Sequence, residues 1–239
     1  MTDPIRIVHL YPRDMNIYGD HGNVLTLFRR LEWRGYRAEV HEVHRGDPLP
    51  ISGDILVGGG GQDSGQVLVE ADLLARGPEL RAMADDGLPM LLVCGLYQMF
   101  GHVFRSGGGQ VLEGIGVLDV ETVAGADRLI GNVVARSAEF GDVIGYENHS
   151  GRTTLGPEAQ PLARVSRGAG NNGSDGTEGA RRDNVIGTYL HGALLPKNPS
   201  IADRLISVAL ERRLGSASLR ELDESTTEAA RRLAAARPR

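Results

Sequence analysis

The chain has 239 residues, 41% hydrophobic and 24% charged, an ordinary globular composition with enough length to bury one large core. Its net charge is −5, with no stripe of Lys and Arg, which argues against a nucleic-acid partner. The one cysteine, Cys94, excludes an internal disulfide and a multi-cysteine zinc site, and a free thiol fits a cytoplasmic location.

"MTDPIRIVHL" has no basic region followed by a long apolar one, so no signal peptide is expected. The longest apolar stretch, around Leu91, falls short of the ~20 residues that a membrane span needs. "IRIVHL" (5–10) reads as a buried first strand. "NVLTLFRRLEWRG" (23–35) carries Val24, Leu27, Phe28 and Leu31 at helical spacing, with Gly35 as a stop. "YRAEVHEV" alternates like a strand, and "DILVGGGG" (54–61) is a strand running into four glycines. A helix from about Ser64 to Ala84 is expected to break near Gly77-Pro78, before the strand "LPMLLV". Strands alternating with helices to residue 104 imply a parallel sheet flanked by helices.

After "RSGGGQ" the pattern changes. "IGVLDVETV", "RLIGNVVAR" and "DVIGYEN" are closely spaced and β-rich, as an antiparallel extension would be. "SRGAGNNGSDGTEGARRDN" (166–184) reads as a mobile, glycine-rich loop, and "VIGTYL" as a further strand. Residues 200–215 form an expected helix with Ser200 as N-cap, and an Arg- and Ala-rich helical tail begins near Ser225. No repeat or linker is visible; the expected division is a domain over 1–215 and a tail over 216–239.

Chemistry is concentrated at a few positions. Cys94 lies where "LPMLLV" turns into a helix, and Gly95 permits a sharp turn behind it. That is the arrangement of a nucleophile elbow, with cysteine in place of serine and the Gly95 amide turned toward an oxyanion. A helix N-terminus also favours the thiolate. Of the seven histidines, His191 follows a strand and precedes Gly192, at the carboxyl edge where open α/β sheets bind ligands. His41 and His44 stand on opposite faces of a strand, and His9 and His102 read as structural, so no metal site is expected. The cluster Gly58–Gly61 does not fit a dinucleotide fingerprint, but its amides are suited to a second oxyanion donor, placed at Gly60. Lys197 is the one lysine and has no glycine-rich loop before it, so a Walker-type ATP site is excluded.

"CGLYQMFG", "GYENHSG" and "GTYLHG", in this order, resemble the motifs of triad-type glutamine amidotransferases, in the cobyric-acid-synthase-like branch. Within it, "LYPRDMNIYGDHGN", "ENHSGRT", the "GNN" of 170–172 and "LLPKN" resemble the amidase subunits of lipid II isoglutaminyl synthases, nearly end to end. The resemblance implies a flavodoxin-like class I fold, mostly parallel with an antiparallel extension. It implies Cys94 as nucleophile, His191 as base and acid, and Gln98 and Arg128 as substrate-binding residues. An arginine suits the role because a guanidinium grips the α-carboxylate of L-glutamine with paired hydrogen bonds.

Two positions depart from the pattern. Leu96 replaces a usual glycine, and Ala193 replaces a glutamate two residues after the histidine, so a Cys–His dyad is expected, with Glu147 a weak substitute for the missing carboxylate. The resemblance further implies no cofactor in this chain. ATP and Mg are expected on a separate Mur-ligase-like subunit, MurT, that activates the D-glutamate α-carboxyl of lipid II. Two alternatives stand beside this: service to another synthetase (cobyrinate-type or nucleotide amidation), or an inactive scaffold.

Overall fold

The computed structural model describes residues 3–50 and 52–238. A six-stranded sheet is built from β1 (Ile5–Leu10), β2 (Ala38–Val43), β3 (Ile55–Gly58), β4 (Met90–Val93), β11 (Ala180–Arg182) and β12 (Val185–Thr188). Its order is β11-β12-β4-β3-β1-β2, parallel except for the edge pair β11–β12. Every residue of β3, β4 and β12 is buried, as expected of strands covered on both faces, while edge strand β2 is largely exposed. The helices α1 (His21–Trp33), α2 (Asp63–Asp85) and α5 (Pro199–Leu214) bury Leu27 and Leu31, Leu73 and Leu80, and Ile201 and Leu205 in the same core.

The β-rich segment forms a second sheet. It contains β5 (Val103–Arg105), β6 (Val111–Glu113), β7 (Val120–Ser137), β8 (Gly141–Leu155), β9 (Ala163–Arg167) and β10 (Thr177–Glu178). All pairings in it are antiparallel except β5–β7. The fold class is thus the expected one, a mostly parallel sheet with helices and an antiparallel extension. β7 and β8 form one long hairpin rather than three short strands. Its pairing jumps from Ala124–Gly151 to Leu129–His149, a bulge that leaves surplus residues in β7 up to Arg128.

Several local expectations are corrected. α2 runs unbroken through Pro78. Its buried residues Leu73, Leu80 and Ala84 flank the proline on both sides, so packing holds the helix despite the missing N–H. Asn198, not Ser200, precedes α5, and it does not cap it. Its side chain instead joins Ile144 of β8 to Leu194 of α4 (Leu194–Lys197). The tail forms α6 (Ser225–Ala236), tied down by Arg231 donating to Asp142 O and by the buried Arg30 reaching Asp203 (2.7 Å) and Glu224 (2.6 Å). Residues 1 and 239, the outer limits of the expected segments, lie outside the described residues.

The segment 166–184 is packed rather than mobile. Both Glu147 carboxylate oxygens accept backbone amides in it, from Ala169 (2.9 Å) and Gly170 (2.8 Å). Asn171 is fully buried and bonds Thr177, the Gly179 backbone and the Tyr97 hydroxyl. Positive φ at Gly170 (67°) and Gly179 (63°) lets the chain turn back for these contacts. Composition reads such a stretch as loose; two of the buried polar partners that fix it, Glu147 and Tyr97, lie elsewhere in the chain.

Glu178, in the same segment, is buried and grips the end of β12, accepting from Thr188 Oγ1 (2.6 Å) and the Tyr189 amide (3.1 Å). Burial, opposed by these hydrogen bonds, pushes its carboxyl up from 4.5 to about 7. The folded state then holds a proton that the unfolded state releases, so this contribution is full below about pH 4.5 and lost as pH rises through about 7. Glu178→Gln removes the titration. Its melting temperature is expected to gain on that of the parent between pH 4.5 and pH 7, a trend that a pH series of thermal melts reads; a constant gap would contradict it.

Candidate active site

Four adjacent parallel strands end at one edge, and each delivers part of the site. β4 delivers Cys94, whose amide donates to Thr188 O at the end of β12 (2.8 Å). Cys94 has φ 49° and ψ −100°, a conformation sterically unfavourable to a residue with a Cβ, so the sharp turn lies at the cysteine itself. Leu96, in place of glycine, does not open the turn. It is fully buried against Gly58, where a Cβ would approach Leu96 Cδ1 to 2.4 Å. The helix that follows, α3 (Gly95–Met99), has only five residues, so little aligned dipole is available to stabilise a thiolate.

His191 lies three residues beyond β12, its amide bonded to Tyr146 O (2.7 Å), and it is fully buried. A Cβ at Gly60 would lie 2.8 Å from His191 Cε1 and 3.1 Å from Cys94 Cβ, so the two side chains flank one glycine. Next to that ring carbon, Nδ1 is 3.4 Å from Asp20 Oδ1. Nε2 closes no hydrogen bond of ordinary length and angle, although the sulfur is near enough for its charge to act. Burial disfavours the imidazolium, but the negative charges of Cys94 and Asp20 outweigh it and push His191 up to about 10.

Asp20 turns the expected pair into a row of three groups. It stands just before α1, yet its carboxylate makes no capping bond. Asn16 Oδ1 takes the His21 amide instead (2.7 Å). The Asp20 carboxylate, 1% exposed, spans His191 and the Gly60 amide (2.8 Å). Ala193, in place of the glutamate two residues after the histidine, packs on α1: a Cβ on Gly22 would lie 2.7 Å from Ala193 Cβ. Glu147, the substitute considered from sequence, accepts the two amides of the 166–184 segment.

The same contact corrects the oxyanion assignment. The Gly60 N–H is taken by Asp20 and does not face an incoming carbonyl. Its neighbour Gly61 lines the cavity beside Cys94, and a Cβ on Gly95 would lie 2.9 Å from the Gly61 nitrogen. The amides of Gly61 and Gly95 therefore lie close together at the cysteine.

The cavity has a volume of about 430 Å³, and Tyr18, Gln66, Cys94, Gln98, Arg128 and His149 are in its wall. Gln98 is placed beneath Cys94 with both ends of its amide engaged, by Gln66 Nε2 (2.8 Å) and the Tyr189 hydroxyl (3.0 Å). Arg128 sits at the end of the β7 bulge and donates through Nε and Nη2 to the side chain and backbone of Asn148, 2.9 Å each. His149, which its motif did not single out, stacks on Tyr189 with centroids 3.6 Å apart. Its Nδ1 meets the Gly151 carbonyl (2.8 Å), an acceptor only, so Nδ1 carries the hydrogen. Burial holds it neutral by pushing it down to about 3. His9 is likewise pushed down by burial, to about 4, while His102 pairs with Asp119 (3.0 Å). His44 lies just past β2, and among the described residues no group of three or more His, Cys, Asp or Glu could hold a metal. No helix among them is long and apolar enough to cross a membrane.

A family model of the CobB/CobQ-like glutamine amidotransferase domain matches residues 6–199. The chain is 38% identical over 210 residues to the GatD subunit of the glutamine-hydrolyzing lipid II isoglutaminyl synthase of Staphylococcus aureus (strain N315), covering 87% of this chain and 86% of that one. Against GatD of Streptococcus pneumoniae (strain ATCC BAA-255 / R6) the identity is 36% over 215 residues, covering 88% and 82%. A crystal structure of a glutamine amidotransferase superposes with a TM-score of 0.59 at 17% identity, covering 84% of this chain and 98% of that one. PurLQS from Thermotoga maritima also gives 0.59, at 14% identity, covering 86% and 98%; at such identities the likeness concerns the fold alone. With the model spanning most of the sequence and two relatives matched along most of their length, the chain belongs to the CobB/CobQ-like glutamine amidotransferase family.

Proposed function

We propose that the chain hydrolyses L-glutamine through Cys94, His191 and Asp20 and passes the ammonia to a separate synthetase subunit. The observation that carries this reading is the row Asp20–His191–Cys94 at the edge of a cavity sized for a small ligand. Asp20 holds the imidazole by Nδ1, which leaves Nε2 for the sulfur side. With His191 pushed up to about 10, the ring keeps a proton at neutral pH, beside the sulfur that acts as the nucleophile.

Glutamine enters with its α-carboxylate at Arg128 and its side-chain amide at Cys94. Sγ attacks Cδ; the carbonyl π pair moves to oxygen, which the Gly95 and Gly61 amides receive. His191 delivers its proton to the amide nitrogen, the C–N bond breaks and ammonia leaves. Water then gives a proton to His191 and attacks the thioester; collapse of that second intermediate releases glutamate and the sulfur. Gln98 shapes the floor of the pocket through its bonds to Gln66 and Tyr189.

The likeness to two GatD subunits supports the same division of labour here. The partner is then a Mur-ligase-like subunit, MurT, that holds ATP and Mg and activates the D-glutamate α-carboxyl of lipid II for amidation in the cytoplasm. Cys94→Ala is expected to abolish glutamine hydrolysis in the assembled complex while the two chains still co-purify; full glutaminase activity in that variant would end the proposal. Asp20→Asn keeps the side-chain size and removes the charge. It is expected to lower kcat by about 10²-fold or more with a smaller change in KM. Steady-state ammonia release checks this, and an unchanged kcat would leave Asp20 without its role.

A further inference from the structure

Tyr18 is held in ways that none of this chemistry requires. Within the 3₁₀ turn Ile17–Gly19 its backbone has φ 58° and ψ 19°, a left-handed conformation that costs an aromatic residue energy. Its ring lies edge-to-face against His191, with centroids 4.9 Å apart and planes at 69°. Tyr18 is 43% exposed and His191 not at all, so the phenol is the outer layer over the imidazole. Its hydroxyl accepts a hydrogen bond from Asn148 Nδ2 (2.7 Å).

Asn148 continues the connection. Arginine can only donate, so the amide oxygen must face Arg128 Nε and the NH₂ must face Tyr18; the orientation of the amide is thereby fixed. With Nε and one Nη2 hydrogen engaged on Asn148, the outer edge of the guanidinium, Nη1 and the second Nη2 hydrogen, remains for a carboxylate. A long side chain on a bulge has many rotamers, and this clasp selects one. The turn that carries Tyr18 is itself anchored to the glycine loop, through Ile17 N to Gly60 O (2.9 Å) and Gly60 N to Asp20.

We propose that Tyr18 is a positioning residue that closes the pocket wall over His191 and, through Asn148, holds Arg128 in the pose that receives the α-carboxylate of the substrate. The inference rests on the reading of the cavity as a glutamine site. It links the two ends of the substrate: the turn that orients the imidazole also sets the arginine.

The test labels Cys94 in the full-length chain with 6-diazo-5-oxo-L-norleucine, a glutamine-shaped diazo-ketone, and with iodoacetamide, which has no carboxylate; intact mass gives the rates. Tyr18→Phe keeps the ring and loses the hydroxyl. It is expected to raise the half-saturating diazo-ketone concentration roughly three- to tenfold, more than it changes the maximal rate or the iodoacetamide rate. Asn148→Ala is expected to do the same, and the double variant to match Asn148→Ala alone. Half-saturation within twofold of the parent for Tyr18→Phe, or independent effects of the two substitutions, overturns the proposal. Failure of the parent to label saturably would instead remove the glutamine-site reading, and this inference with it.

Discussion

A carboxylate with almost no contact with water, that of Asp20, holds two things at once: the Nδ1 side of the His191 ring and the amide of Gly60. Such a group is costly to bury unless its charge is answered, and here it is answered by an imidazolium and a backbone N–H. The arrangement holds one nitrogen of the ring and pins the glycine loop to the turn before α1. Removing any of the three groups would strand the other two in a buried place.

The sheet topology makes this possible. β1, β3, β4 and β12 are neighbours, and their carboxyl ends supply the turn with Tyr18 and Asp20, the glycine loop, Cys94 and His191 respectively. Residues more than a hundred positions apart in sequence meet because parallel strands all finish on one side. The second sheet adds the opposite wall, where the β7 bulge carries Arg128 to Asn148 and the cavity. One sheet's loops hold Asp20, Cys94 and His191, and the other sheet holds Arg128 and Asn148.

Much of the fold was legible in the sequence, because burial writes itself into composition. "IRIVHL" and "PMLLV" are apolar enough to be interior strands, and both are. The turn at "VCG" was visible as well, since a thiol and a glycine follow a short buried strand. Long-range partnerships were not. Asp20 and His191 are 171 residues apart, and nothing in the sequence around Asp20 points to the histidine. Nor does a run of glycines say which amide is free: that Gly60 donates to Asp20 depends on a turn forty residues earlier. The order of 166–184 is hidden in its composition for a related reason, since part of it comes from Glu147 and Tyr97, outside the segment.

The central claim is that His191 is an imidazolium held against the Asp20 carboxylate beside Cys94, and its protonation state can be observed directly. Nitrogen-15 NMR of histidine-labelled protein at pH 8 reads both ring nitrogens. A ring pushed up to about 10 must show both protonated at that pH, with the signal lost on Cys94→Ala or shifted by Asp20→Asn. A neutral ring at pH 8, titrating near the ordinary value of 6.5, would contradict the account.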